Sequence, residues 1–275
     1  MKTKIGVIGL GIVGGTLFDW LKKKGYPVYG YDKFKNIGSL EEVDKADIIF
    51  LCLPTPYNSK TGYDLSALEE NIKYFRKSKI FVIKSTVLPG TTEYFQKKYK
   101  KHKFFHNPEF LREKYPYQDF INPSLQLVGY VNKKDKNLAK KILHLLPQAP
   151  YTKVVETKSS ELAKMAINGF LALKVIFANQ IYDLAEKMKI DYEEVREILE
   201  NEPRLGKTHF KVFYEGFRGF GGKCLPKEVN SLITLFKKLK LKPELFGAIE
   251  KINLKLLKKQ GLIKKLRQNW LNNRS

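Results

Sequence analysis

The sequence is poor in several residues that usually announce a chemistry. It has two cysteines, Cys52 and Cys224, and four histidines in 275 residues. That is too few thiols for a disulfide scaffold, and no HExxH or CxxC spacing is present, so no metal site is expected. No apolar run reaches about 18 residues, which leaves no candidate membrane span. The opening MKTKIGVIGLGIVGG enters a strand at once instead of presenting a cleavable leader, and a cytoplasmic location is the expectation. Arginine is scarce as well. Although the net charge is +23, only 7 of the 51 basic residues are Arg, whereas base and bidentate phosphate recognition favour Arg. The charge therefore reads as a lysine-rich solvated surface that gathers anions, not as nucleic-acid binding. The densest late run, residues 255–267, suits an anionic partner.

What is present is ample for real cores: 43% apolar residues, with 18 Phe and 15 Tyr. Strand-like and helix-like blocks alternate up to about residue 155, and nearly every periodic stretch after it is helical. The expectation is an α/β chain, with a Rossmann-type sheet domain over 1–155 and an all-helical domain over 156–275 built on a long central helix and carrying a cysteine loop. That helix spans residues 159–187, roughly 43 Å at the α-helical rise. Its apolar residues recur at Leu162, Met165, Ala166, Phe170, Leu173, Phe177, Ile181 and Leu184. A helix this long cannot easily bury its apolar sides against one small domain, so a two-fold dimer through it is expected. Lys164 and Asn168 stand four apart and share a face. They present one cation and one amide together, or else a lysine lying over an apolar seam beside a tolerated asparagine.

The first strand, 4–8, runs into GLGIVG and then a helix. Gly9 permits the turn, Gly11 lets the backbone approach a pyrophosphate, and Gly14 permits close helix packing. A second strand, 26–31, closes on Asp32, whose carboxylate can accept both ribose hydroxyls and would repel a 2'-phosphate. NAD is the expected cofactor, although Lys33, next along, could meet that phosphate. The third strand, 47–53, ends at Pro54, Thr55 and Pro56, and the fourth, 80–84, at Ser85 and Thr86. Both ends should face the cofactor crevice. Thr55 then offers a hydroxyl to the cofactor or simply turns between two prolines, Ser85 or Thr86 can bond the nicotinamide ribose or a water, and Thr91 and Thr92 read as helix caps. The expected cofactor set is Gly9, Gly11, Ile12, Val13, Gly14, Asp32, Lys33, Leu53, Pro54, Thr55, Ser85 and Thr86. A brief strand is expected over 103–106 and a further one over 125–131, making about six.

In NPEFLREK, Pro108 can open a helix and place Glu109 in its first turn. Glu109 is either that cap or a general base in a cleft, with Glu113 its partner or a surface charge. His106 is a candidate proton shuttle that no pattern requires. Later, GFGGKCLPKE sets Cys224 after a glycine loop and at the start of a helix led by Pro226. The helix N-terminus, Lys223 and Lys227 each favour a thiolate there, whereas Cys52, within an apolar strand, reads as inert. A hydride acceptor together with an activated thiol points to oxidation of an alcohol to an aldehyde, capture on sulfur, a second oxidation to a thioester, and hydrolysis.

GLGIVG, PTP at Pro54, STVLPGTT at Ser85, NPEFLRE at Asn107, ELAKMAINGF at Glu161, PRLG at Pro203 and GFGGKCLPKE at Gly219 occur in order. Together they resemble the UDP-glucose and GDP-mannose dehydrogenase family, whose members oxidise the primary alcohol of a nucleotide sugar to a carboxylate in two NAD-dependent steps. The resemblance implies Cys224 as nucleophile, Lys164 and Asn168 as oxyanion donors, Thr86 as holder of a catalytic water, and Glu109 as base or proton relay. It also implies substrate contacts from Glu113, Arg204, the loop Phe220, Gly221 and Gly222, and Lys227, and a homodimer through the central helix. Three departures stand out. Glu228 occupies the place of a usual aspartate in the catalytic set, the segment after Asp32 is short, and the chain is expected to be a shortened form without the family's C-terminal nucleotide-sugar domain. A separate substrate-binding chain, a noncatalytic NAD-binding role and a smaller anionic alcohol are the competing expectations.

Overall fold

The computed structural model describes residues 2–112, 114–222 and 224–263. The chain divides into two compact units: Met1–Thr55 with Asp64–Lys164, and Pro56–Tyr63 with Met165–Ser275. In the first unit, β1 (Ile5–Ile8), β2 (Val28–Tyr31), β3 (Ile48–Leu51), β6 (Ile80–Ile83), β7 (Lys103–His106), β8 (Leu125–Tyr130) and β9 (Tyr151–Glu156) form one sheet in the order β2-β1-β3-β6-β7-β8-β9. All neighbours pair in parallel except β7 and β8. The numbering leaves room for a hairpin of the second unit, described below.

The central strands are continuous apolar runs, IGVI, IIFL and IFVI, because a parallel sheet buries both faces. Alternate residues serve opposite cores. Ile5, Val7, Ile48, Phe50, Val82 and Phe105 pack with Leu17 and Leu21 of α1 (Ile12–Lys23) and with Ala139 and Ile142 of α6 (Lys136–His144). Ile8, Ile49, Leu51, Phe81, Ile83 and Phe104 pack instead with α2 (Leu40–Val43), α3 (Ser66–Tyr74) and α4 (Thr91–Lys98) through Val43, Leu68, Ile72 and Phe95.

Several expectations need correction. The sheet has seven strands, and the seventh, β9, escaped notice because YTKVVE is largely exposed and polar. No helix begins at Pro108. Residues 107–112 are coil, and the next helix, α5, is Pro116–Ile121. The N-cap of α4 is Gly90 at φ 95°, so neither Thr91 nor Thr92 caps it. Cys52 lies one residue beyond β3.

The central helix is α7, Thr157–Met188; it starts in the first unit and continues into the second. Its first turn packs on β8 so closely that a Cβ on Gly129 would lie 2.5 Å from Ser160 Oγ and 2.9 Å from Thr157 Cα. The periodic seam read from the sequence divides between core and surface. Met165 is buried, and Leu173 and Ile181 pack on the core residues Ala172, Ile176, Ala178 and Ala185, whereas Leu162, Phe170, Phe177 and Leu184 are exposed.

The second unit adds α8 (Tyr192–Asn201), α9 (Leu225–Lys238) and α10 (Glu244–Lys259). It is not wholly helical. A hairpin of β4 (Tyr57–Asn58) and β5 (Gly62–Tyr63), turned by Asn58 Oδ1 accepting the Lys60 and Thr61 N–H groups, lies against α9. Tyr57 meets Thr234, Ser231 donates to the Gly62 carbonyl, and Lys238 donates to the Thr61 carbonyl. Among the described residues, no helix is long and apolar enough to cross a membrane.

Candidate active site

The glycine turn of the first unit is shaped for a phosphate. Gly9 has φ 87°, and a Cβ on Gly14 would lie 1.9 Å from the Gly9 carbonyl oxygen, so neither position accepts a side chain without rearrangement. A Cβ on Gly11 would meet nothing within 4 Å, which leaves the backbone approachable from outside. Gly11 is also the N-cap of α1, whose first turn has no acidic residue and no side-chain cap. Its orphan N–H groups and dipole suit an anion. Asp32, just past β2, is buried and accepts N–H groups from Leu10 at 2.8 Å, Phe34 at 3.0 Å and Lys35 at 3.1 Å. A carboxylate has about four lone-pair sites, so acceptor capacity remains for a ribose hydroxyl. These residues fit a dinucleotide.

The remaining members of the cofactor set divide by environment. Ile12, Val13, Leu53 and Pro54 border the turn and the end of β3, with Ile12 and Pro54 exposed. Lys33 is exposed and pairs with Glu70 at 3.6 Å. Thr55 Oγ1 donates to the Thr86 carbonyl at 2.7 Å, and Ser85 Oγ donates to the Leu53 carbonyl at 2.6 Å. Those two hydroxyl protons tie the ends of β3 and β6 together. Thr86 is half-buried beside them.

Glu109 sits in coil between β7 and α5. One oxygen accepts the Leu111 N–H at 2.7 Å; the other meets Lys164 Nζ at 3.1 Å, with Lys164 nearly buried. Burial works against the Glu109 charge, but the Lys164 ammonium, the Leu111 N–H and the more distant Lys84 outweigh it and hold the carboxyl below its usual range. Lys164 also lies 5.3 Å from the centre of the Phe110 ring. The pair joins a coil residue to one 55 positions later, so the helix-cap reading of Glu109 gives way to a tertiary ion pair. One turn along the same face of α7, Asn168 is buried.

His106 is held neutral near neutral pH. Burial and the Lys84 charge push its imidazole down to about 3, and Nδ1 is engaged with Ser160 Oγ at 2.8 Å. Burial pushes the Cys52 thiol up to about 12, in keeping with the inert reading.

In the second unit, Cys224 is exposed and is the N-cap residue of α9, with Pro226 in the first turn. Its carbonyl accepts the Glu228 N–H at 2.9 Å. Glu228 is buried, and its Oε2 accepts from the Tyr63 hydroxyl at 2.9 Å, while Lys227 lies 5.3 Å over the Tyr63 ring. The longer side chain that replaces the usual aspartate is thus tied to the β4-β5 hairpin. Burial and Glu228 raise the Tyr63 phenol well above its ordinary value.

The glycine loop is anchored by a residue the sequence gave no reason to single out. Asn253 on α10 accepts the Phe220 N–H at 2.8 Å and donates to the Phe220 carbonyl at 3.0 Å. A Cβ on Gly219, at φ 89°, would lie 2.5 Å from Asn253 Oδ1. Because Phe220 also buries its ring, it does not have its N–H open for an anion; Gly221 and Gly222 are half-buried. Arg204 is exposed and forked onto Glu202 at 2.8 and 3.1 Å. Lys174, another buried lysine, donates to the Leu205 carbonyl and steadies that loop. Glu113, Lys223 and the end of the late basic run, 264–267, lie outside the described residues.

Lys84, Glu161, Tyr63 and Asn253 were all missed. Their sequence signals are weak: a lysine ending an apolar strand, a glutamate in an early turn of α7, a tyrosine in a loop and an asparagine inside an apolar-periodic helix. Each acquires meaning only from a partner far along the chain.

The UDP-glucose 6-dehydrogenase of Rickettsia prowazekii is 33% identical over 230 residues, covering 80% of this chain and 52% of that protein. The chain spans about half the length of the curated relatives it matches. A UDP-glucose dehydrogenase structure from the hyperthermophilic archaeon Pyrobaculum islandicum superposes with a TM-score of 0.82 at 26% identity, over 97% of this chain and 72% of that one. A UDP-D-ManNAc dehydrogenase from Pyrococcus horikoshii, at 22% identity and TM-score 0.81 over 95% and 71%, shares the fold. Residues 33–146 match the NAD binding domain, and residues 158–255 the central domain, of one family. With both domains matched in order, the chain belongs to the UDP-glucose/GDP-mannose dehydrogenase family.

Proposed function

We propose that this chain oxidises the primary alcohol of an anionic, nucleotide-linked sugar to a carboxylate in two NAD-dependent steps. The observation that carries the reading is the buried Lys164–Glu109 pair, 3.1 Å apart and one helical turn from Asn168, in a chain whose exposed Cys224 opens α9.

Bound at the Gly9–Gly14 turn and Asp32, NAD supplies the hydride acceptor for each oxidation, two molecules per substrate. The residues of the chain do the rest. After the first oxidation, Cys224 Sγ adds to the aldehyde carbon; a C–S bond forms and the carbonyl pair moves to oxygen, where Lys164 and Asn168 stabilise it. The second oxidation leaves a thioester. A water steadied by Thr86 gives a proton to Glu109 and adds to that carbonyl, the C–S bond breaks, and the carboxylate leaves as Sγ is restored. Glu109 suits this role because Lys164 keeps it ionised without removing it from the site. Arg204, Gly221, Gly222 and Lys227 are the described candidates for substrate contact.

The exposed seam Leu162, Phe170, Phe177 and Leu184 supports a two-fold dimer through α7. Light scattering should return about twice the 31.9 kDa chain mass; a strictly monomeric value would contradict it. For activity, purified chain is supplied with NAD and a panel of nucleotide sugars and sugar phosphates, and absorbance of the reduced cofactor is followed. Turnover with a nucleotide sugar supports the proposal. NAD binding without reduction across the panel would favour instead a subunit that needs a separate substrate-binding chain.

A further inference from the structure

Lys84, at the end of β6, is a buried cation that the proposed reaction leaves without a task. It is 3% exposed. Its ammonium donates to Asn107 Oδ1 at 2.7 Å and more weakly to the Asn107 carbonyl at 3.4 Å, both neutral acceptors. Asn107 is itself fixed, donating its side-chain amide to the Leu127 carbonyl at 2.7 Å and its N–H to the Ile83 carbonyl at 2.8 Å. Two residues later in the same coil stands Glu109.

A buried charge with only neutral hydrogen-bond partners is costly, and such groups concentrate at functional sites. The groups that act on Lys84 electrostatically are Cys52, Glu109 and Lys164. Just past β3, Cys52 contributes no anion at neutral pH, its thiol being pushed up to about 12. From β7, His106 is neutral, being pushed down to about 3. Glu109 is therefore the carboxylate that compensates Lys84, and it is already the ion-pair partner of Lys164 on α7.

We propose that Lys84 is a positioning residue acting through Glu109: its ammonium anchors the coil through Asn107 and supplies a second positive charge that keeps the Glu109 carboxylate in its proton-accepting form. The inference rests on the reading of Glu109 as the proton acceptor. Two ammonium groups, Lys164 and Lys84, thus act on one carboxylate, and both charges are built in before any substrate arrives. Removing the Lys84 charge should raise the Glu109 titration point, since a nearby cation favours the ionised acid.

The test reads Glu109 directly. Chain labelled with 13C at glutamate carboxyls is titrated by NMR, with the Glu109 signal assigned by its loss in Glu109→Gln. Wild-type Glu109 should titrate below the usual glutamate range, and Lys84→Gln, which keeps a donor but removes the charge, should move it measurably upward. Lys84→Arg should keep it low, and Lys84→Met serves as the neutral variant if Lys84→Gln does not fold. The acid limb of kcat against pH should shift in the same direction by a similar amount. An unchanged Glu109 titration in a folded neutral variant would overturn the inference. If the wild type shows no turnover, the proposed activity fails while the carboxyl titration still decides the role of Lys84.

Discussion

Tyr63→Phe removes one hydroxyl from the contact between the β4-β5 hairpin and α9. Tyr63 is 2% exposed and Glu228 1%, and the 2.9 Å bond joins a phenol to a carboxyl. The ring remains, and with it the Lys227 ammonium 5.3 Å from its centre, so packing and the cation–π contact are preserved. What is lost is a donor to a buried acceptor. Net hydrogen bonds to charged groups are worth about 1.5–3 kcal/mol, and an orphaned buried acceptor forfeits a comparable amount. The expected destabilisation is about 2 kcal/mol. It should appear in urea denaturation as a lower midpoint with an unchanged slope, because the surface exposed on unfolding is the same. Glu228→Gln supplies the second arm of a double-mutant cycle, with an expected coupling of at least about 1 kcal/mol. A loss below about 0.5 kcal/mol, or additive effects of the two changes, would refute the claim that this bond ties Glu228, in the first turn of α9, to the β4-β5 hairpin.

Gly129→Ala sets a Cβ 2.5 Å from Ser160 Oγ and 2.9 Å from the Thr157 backbone, so it should cost about 1–3 kcal/mol; an unchanged thermal transition would show that α7 can shift off β8 freely. Glu161→Ala strips acceptors from the Gly90 and Thr92 N–H groups and the Thr92 hydroxyl and should destabilise the chain by at least about 2 kcal/mol, a loss that chemical denaturation would reveal. At pH 8, iodoacetamide should modify the exposed Cys224 far faster than Cys52, whose thiol is pushed up to about 12; peptide mass mapping that shows equal labelling would contradict the environments assigned to both. Calorimetric titration should favour NAD over NADP by at least roughly tenfold, or about 1.4 kcal/mol, and equal affinities would remove the discriminating role of Asp32.

The parts legible in the sequence are those whose signals are local. The strand, glycine turn, helix and second strand ending at Asp32 can be read because Gly9 and Gly14 each answer a steric demand set nearby and Gly11 leaves the backbone open. The Cys224 segment can be read because Pro226 and the helix that follows define a start. Pro108 supplies a local start signal for a helix over Glu109 that does not form, and what separates the cap from the cleft reading of Glu109 is Lys164, 55 residues away. Thr92 was read as a cap for the same kind of reason, when its hydroxyl is committed to Glu161. Strand β9 carries few apolar residues and owes its form to six paired positions on β8. The long helix was legible as a helix, but periodicity alone did not say which of its apolar residues face a core.

The most direct test of the central proposal is the number of NADH molecules formed per molecule of limiting nucleotide sugar, measured for the wild type and for folded Cys224→Ala. Two per substrate for the wild type, with no carboxylate product from the variant, is the expected result. Full conversion by Cys224→Ala, with two NADH formed, would contradict the proposal that Cys224 carries the second oxidation.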